Sequence, residues 1–241
     1  MRINRYLAVA GLGSRRACED LILKGLVKVN GTPVVNLSLK IDPDEDRVTF
    51  EGREIRPVEK SRILVLNKPT GVISTASDTH GRKTVIDIAR EHGYRERLFP
   101  VGRLDRDTSG MILITNDGDL AYRLTHPKYK IEKVYDVTVG GRVSNGNVEK
   151  ITKGIDTGDY VTKQCRVSIL ERDRVSTRLE IRLKEGRKRQ IRRMLAMCGH
   201  KVKRLHRTAL GDLAFDDLKS GDIRPLSEEE ENRLRELSGL D

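Results

Sequence analysis

The chain reads as an α+β protein in two parts, and three patterns predict this. Val175 to Leu183 alternates apolar and polar residues, which is the period of a strand buried on one face. Ile3, Leu7 and Ala10 recur at helical spacing near the start, where glycine and Asn-Gly signals separate short elements. Between these regions a charged stretch with Pro57 and no periodicity, near Arg56–Ser61, marks a linker. The expected division is a small domain over residues 1–60 and a larger one over 61–241.

In the small domain Gly11-Leu12-Gly13 stops the first helix, with Arg2 and Arg5 turned away from its apolar face. Ser14 is a natural N-cap for a second helix, in which Ala17 and Leu21, and Cys18 and Ile22, pair at i,i+4. Lys24-Gly25 ends it. Val27 and Val29 then alternate with Lys28, and Asn30-Gly31 is a hairpin turn leading to Val34 and Val35. Asp42-Pro43-Asp44 turns the chain again before a strand at Val48–Phe50.

The larger part opens with Ile63–Leu66, a short buried strand broken by Asn67-Lys68-Pro69-Thr70-Gly71 and resumed at Val72–Thr75. Thr84–Ala89 reads as a helix. Val101 to Gly110 packs two carboxylates and two guanidiniums into five positions, Arg103 to Asp107, bracketed by Gly102 and Gly110. The apolar run Met111–Ile114 follows, closed by Asn116-Asp117-Gly118. A carboxylate in such a loop can be partly desolvated while arginines keep it ionised, as a nucleophile or general base requires. A solvated turn held by Arg–Asp pairs has the same composition. Asp119–Thr125 is a helix stopped by His126-Pro127. Tyr135, Val137 and Val139 share one face of a strand over Ile131–Val139, where a tyrosine either packs at the surface or stacks on a base. Beyond the Val175–Leu183 strand, Ile191, Met194 and Leu195 form the apolar stripe of a helix that Gly199 ends. Ser227 with Glu230 is a capping box, continued by Leu234 and Leu237.

Charge narrows the partner. A net charge of +11 over 241 residues calls for a polyanion. Between Arg182 and Arg207 the only acid is Glu185, so this interval is the main electrostatic footprint. No apolar run approaches the roughly 20 residues that span a bilayer, and Met1-Arg2-Ile3-Asn4-Arg5 begins no signal-peptide core. Cys18, Cys165 and Cys198 are odd in number and widely spaced, against both a disulfide framework and a zinc site. Gly81-Arg82-Lys83-Thr84 lacks the first glycine of a phosphate loop and separates glycine from lysine. A cytoplasmic nucleic-acid-binding protein is expected, with no membrane partner.

Four segments in register carry a resemblance. The helix–Gly turn–helix–hairpin start resembles the S4 RNA-binding domain, and the strand–Lys-Pro turn–strand resembles the opening of a pseudouridine synthase domain. Gly102-Arg103-Leu104-Asp105 with Thr108-Ser109-Gly110 resembles the active-site loop of those synthases, and Gly186-Arg187-x-x-Gln190-Ile191-Arg192 their third motif. The chain thus looks like a ribosomal RNA pseudouridine synthase of the S4-containing kind, most like the B-type enzymes that modify the large ribosomal subunit. The small-subunit 16S type remains open.

That resemblance implies a mixed or antiparallel-sheet catalytic domain behind the S4 domain. It implies Asp105 as nucleophile, Tyr135 packed on the target uracil, and Arg192 paired with Asp105. Arg103, Arg187 and Gln190 join Tyr135 and Arg192 as substrate-binding candidates, with Asp107 as a structural cap of the loop. Arg2, Arg5, Arg15, Arg16 and Lys28 are the expected phosphate contacts of the S4 domain. The implied partner is 23S ribosomal RNA or a large-subunit assembly intermediate, bound by a monomer. Isomerisation reunites the same two pieces, so neither cofactor nor metal is expected. A non-catalytic ribosomal-RNA-binding or ribosome-assembly protein is the rival from another class, and a DNA-binding protein a third.

Overall fold

A computed structural model describes residues 1–57, 61–215 and 218–240. The linker expected at Arg56–Ser61 lies in part, at positions 58–60, outside the described residues. The chain forms two compact units. One is Met1–Arg62 with Asn116–Gly118, and the other is the remainder from Ile63.

In the first unit, α1 (Ile3–Val9) and α2 (Arg15–Leu23) precede a sheet of β1 (Val27–Val29), β2 (Thr32–Pro33), β3 (Val48–Phe50) and β4 (Arg53–Glu54), in the order β2-β1-β3-β4. Ser14 caps α2, its side chain accepting from the Ala17 N–H. Asn30 and Gly31 both take positive φ, so the two-residue turn matches the twist of the β1–β2 hairpin. Ile3, Tyr6, Leu7, Cys18, Ile22 and Val27 fill the core. Ala17 is exposed, so only the Cys18–Ile22 pair faces inward.

The second unit is built on one mixed sheet. Its strands are β5 (Ile63–Lys68), β6 (Phe99–Pro100), β7 (Ser109–Thr115), β8 (Lys133–Gly140), β9 (Arg166–Arg172), β10 (Ser176–Leu183), β11 (Val202–Leu210), β12 (Leu213–Ala214) and β13 (Ile223–Pro225). The order is β13-β5-β7-β11-β8-β10-β9, with β6 on β7 and β12 on β11. Only β7 and β11 run parallel. Both faces are covered, which explains the continuous apolar runs. On β5, Leu64 and Leu66 pack with α3 (Val85–Glu91), while Ile63 and Val65 pack with α4 (Gly118–Thr125) and α7 (Glu228–Ser238). A third cluster joins Val137, Leu179 and Ile181 to α5 (Asn145–Lys153) and α6 (Gln190–Met197). Thr84 and Ser227 each close a full capping box.

Three expectations change. Lys68 continues β5 instead of breaking it, and Val72–Thr75 is no strand, making only the bridge Ile73↔Thr84. The basic stretch around Arg204–Arg207 is itself a strand, β11. Arg207 faces no solvent, being 4% exposed with its Nε donating to the Met111 carbonyl at 2.7 Å.

Candidate active site

The loop from Val101 to Gly110 enters β7 at mid-sheet, and its path follows from its two glycines. Gly110 has φ +107°, and a Cβ there would lie 2.3 Å from the Arg207 carbonyl oxygen of the neighbouring parallel strand. Only glycine lets the backbones approach so closely. Leu104 and Thr108 point into the protein, so the residue between them and nearest Leu104, Asp105, is left half-buried. The Thr108 N–H donates to the Asp105 carbonyl at 3.0 Å and closes the turn.

The segment after Pro69 is laced to this loop. Gly71 N–H donates to the Arg106 carbonyl at 2.7 Å. The buried Ser74 hydroxyl accepts from Leu104 N–H at 3.1 Å and donates to Leu104 C=O at 3.0 Å. Beneath lies Lys68, 0% exposed, its ammonium donating to the carbonyls of Pro69 and Val72 at 2.9 and 2.8 Å. Burial pushes this lysine down to about 8, against the attraction of Asp107 and Asp105.

The cations from α6 do not fall where the sequence put them. The resemblance pairs Arg192 with Asp105. Instead the Arg192 guanidinium donates to the Asp107 carbonyl at 2.8 Å, with Nε 3.3 Å from the Asp107 carboxylate. Arg189 grips the same carboxylate with two hydrogen bonds, 2.9 and 3.0 Å. That grip holds Asp107 below the usual carboxylate range, while burial pushes Arg192 down. Among the described residues Asp105 makes no ion pair within 4 Å, yet it acts electrostatically on Lys68, Arg189 and Arg192. The reason for the difference is reach. Arg189, in the left-handed conformation at the start of α6, aims its fork at the outer acid of the loop, and Arg192 follows one turn later.

Asp105 lines two cavities, as do Arg106 and Arg189. The larger, about 620 Å³, is lined by Tyr135, Leu183, Leu205 and Ile191 on its apolar side and by Arg103, Arg187 and Arg189 on its charged side. The smaller, about 480 Å³, lies against Thr70, Gly71, Arg106 and Asp107. Tyr135, on β8, packs on both the α3 and α6 core clusters and so stands at the centre of the sheet. Arg103 is exposed at the rim. Arg187 lies over the Tyr160 ring, 4.3 Å from its centroid. Gln190 borders the cavity, but both ends of its amide are committed. Its Nε2 donates to Glu185 at 2.6 Å, and its Oε1 accepts from Arg187 N–H at 3.1 Å. This differs from a free substrate contact, because the buried amide holds the Gly186–Arg189 turn. In the first unit Arg2, Arg15, Arg16 and Lys28 are exposed and Arg5 is half-buried.

Sequence reasoning passed over Lys68, Ser74, Glu185 and Arg189. The one available signal was Lys68, a charge two residues beyond the apolar run Ile63–Leu66. Ser74 and Glu185 act through long-range hydrogen bonds that no local pattern encodes.

A half-buried loop carboxylate among fixed cations, beside a cavity that Tyr135 lines, has the charge and shape to receive an anionic substrate. Residues 62–197 match the family model described as RNA pseudouridylate synthase, and residues 1–48 match the S4 domain. The chain belongs to the RNA pseudouridylate synthase family and carries an S4 domain ahead of the synthase domain. It is 40% identical to an RNA pseudouridine synthase of Aquifex aeolicus, covering 100% of this chain and 96% of the relative. It is 38% identical to ribosomal large subunit pseudouridine synthase B of Bacillus subtilis, covering 98% and 96%. A crystal structure of a pseudouridylate synthase superposes with a TM-score of 0.69 at 31% identity, covering 97% of this chain and 99% of that one.

Proposed function

We propose that this chain converts one uridine of large-subunit (23S) ribosomal RNA, or of an assembly intermediate, to pseudouridine, with Asp105 as the nucleophile. The supporting observation is the position of Asp105, half-buried at the wall of the 620 Å³ cavity and free of any ion pair among the described residues. Its carboxylate lone pairs are therefore open to substrate. The 38% identity to the Bacillus subtilis large-subunit enzyme favours the large subunit over the small.

The target nucleotide leaves its stack, at a cost of a few kcal/mol, and enters the cavity. Tyr135 and the leucines pack on the uracil ring. Arg103 and Arg187 meet phosphate or fill the gap left behind, Arg192 and Arg189 fix the loop through Asp107, and Gln190 holds the turn that presents Arg187. Asp105 bonds transiently to the nucleotide as the N1–C1′ bond breaks; uracil turns, C1′ joins C5, the bond to Asp105 is released, and the proton lost from C5 is balanced by one gained at N1. Arg2, Arg5, Arg15, Arg16 and Lys28 bind flanking phosphates, within an S4 domain taken as residues 1–60 and a synthase domain as 61–241. The chain is taken to act as a monomer. No helix among the described residues is long and apolar enough to cross a membrane, and the cysteines are free thiols, which suits the cytoplasm.

The test maps pseudouridine in ribosomal RNA from cells lacking the protein, rescued with wild type or Asp105→Ala. One site lost, and restored by wild type alone, is expected. Rescue by the mutant, or no lost site, overturns the assignment and leaves a binding protein.

A further inference from the structure

The end of α4 carries a second feature that chemistry at Asp105 does not use. The chain is aromatic-poor, yet two of its six tyrosines stand with His126 in one short stretch. Tyr122 is 48% exposed on α4. Its ring centroid is 4.8 Å from His126 and 6.0 Å from Tyr129, the latter edge-on at 86°. Lys128 places its ammonium 4.6 Å from the Tyr129 centroid and 5.8 Å from that of Tyr122, and Arg123 lies 5.6 Å from Tyr129. The exposed rings of Tyr122 and His126, backed by Tyr129, which is half-buried against the core, with a cation beside them, suit a base that stacks and the phosphate that follows it.

The cluster is continuous with the catalytic loop. The Thr125 γ-methyl stands 3.3 Å from where a Cβ on Gly102 would lie, and Gly102 lines the cavity of Asp105. A strand whose target nucleotide occupies that cavity therefore has its neighbours close to α4. We propose that Tyr122, His126 and Tyr129, with Lys128, form a stacking platform for single-stranded RNA flanking the target uridine. This rests on the RNA-modifying reading of the site and adds to it a second, non-catalytic contact surface. Stacking is indifferent to base identity, so the platform contributes affinity and register while the cavity selects uridine.

The chain contains no tryptophan, which gives a direct probe. Tyr122→Trp keeps a stacking ring and places a lone indole in the platform, and Val175→Trp, at an exposed turn, serves as the control. An oligouridylate of about 12 nucleotides, within the usual length range for single-strand sites, is titrated against each. Expected are quenching of the indole at position 122 but not at 175, and binding weakened roughly tenfold by Tyr122→Ala but retained by Tyr122→Trp. Lys128→Ala should lower the salt slope of binding by about 0.7. On transcribed 23S ribosomal RNA, Tyr122→Ala should raise KM and leave kcat within about twofold. An unquenched indole at position 122 with affinity unchanged in Tyr122→Ala overturns the platform, and leaves the surface to a protein partner. The binding arm is repeated in Asp105→Ala. Quenching without turnover by wild type sinks only the catalytic assignment, and turnover without quenching sinks only the platform.

Discussion

Replacing Gly110 with alanine tests the close approach on which the catalytic loop depends. The new Cβ would meet the Arg207 oxygen at 2.3 Å and its nitrogen at 2.5 Å, where ordinary contact begins near 3.4 Å. β7 and β11 must then part by about an ångström, which opens the Arg207↔Gly110 pairing and the Arg207–Met111 hydrogen bond. The residue must also hold φ +107°, at a cost of about 1–2 kcal/mol for a side chain in left-handed space. Adding a steric clash that backbone alone must absorb gives about 3–5 kcal/mol. At roughly 2–4 °C per kcal/mol for a chain of this size, the melting transition of the synthase unit falls by roughly 6–20 °C. Gly81→Ala is the control, because φ there is +69° but nothing lies within 4 Å. Circular dichroism melts of the two variants separate conformational strain from collision. If Gly110→Ala melts no lower than Gly81→Ala, the argument from close approach is wrong.

Three further outcomes follow from the same geometry. Asp107→Asn removes the carboxylate that Arg189 and Arg192 share; because the pair is about half exposed, the loss is about 1 kcal/mol, seen in urea unfolding at neutral pH. Asp107 is held below its unfolded pKa, so this contribution is present above about pH 4 and vanishes as pH falls through the lowered value. Wild type and mutant should converge in acid. Lys68 sits at about 8 when folded and near 10.5 when unfolded, so its contribution is complete above the unfolded value and is lost as pH falls through 8. Relative to Lys68→Met, wild type should gain about 2 kcal/mol between about pH 7.5 and 9.5. A flat difference would mean the ammonium is not buried. Asp105→Ala, in contrast, should melt within about 2 °C of wild type while losing all turnover, since Asp105 has no ion pair among the described residues to lose.

The legible parts of this fold are those whose signals are local. Ser14 and Ser227 announce their helices because a cap is a relation over three residues, and Asn30-Gly31 announces its hairpin because the turn needs two positive φ angles. The strands hidden from sequence are those whose burial is set from outside. β11 carries lysine, arginine and histidine because it threads mid-sheet beside the active loop, and Arg207 is tolerated inside only through a carbonyl 96 positions away in sequence. β9 is an edge strand with polar residues on much of its surface, so its period is blurred. The site divides in the same way. Asp105, Tyr135 and Arg192 stand in motifs, whereas Ser74 and Glu185 matter through hydrogen bonds to Leu104 and Lys163 that only the folded chain creates.

The same distinction explains why the loop needs two acids. An aspartate gripped directly by two guanidiniums has its lone pairs occupied and its position fixed, which describes Asp107. Such a group anchors well and attacks poorly. Asp105, two residues earlier, lies within the field of the same arginines and of Lys68 but is bonded to none of them. Asp107 thus holds the arginines in place, and their charge reaches Asp105 through space while its oxygens stay free for the substrate. Exchanging the two roles by a single substitution should be impossible. Asp107→Asn takes the carboxylate from Arg189, leaves Arg192 no contact there but its bond to the Asp107 carbonyl, and weakens turnover in proportion to loop order, whereas Asp105→Asn preserves the loop and abolishes turnover outright. Pre-steady-state rates with both variants, set beside their melts, separate the anchor from the nucleophile. Complete loss of turnover in Asp107→Asn, with stability intact, would reverse the assignment.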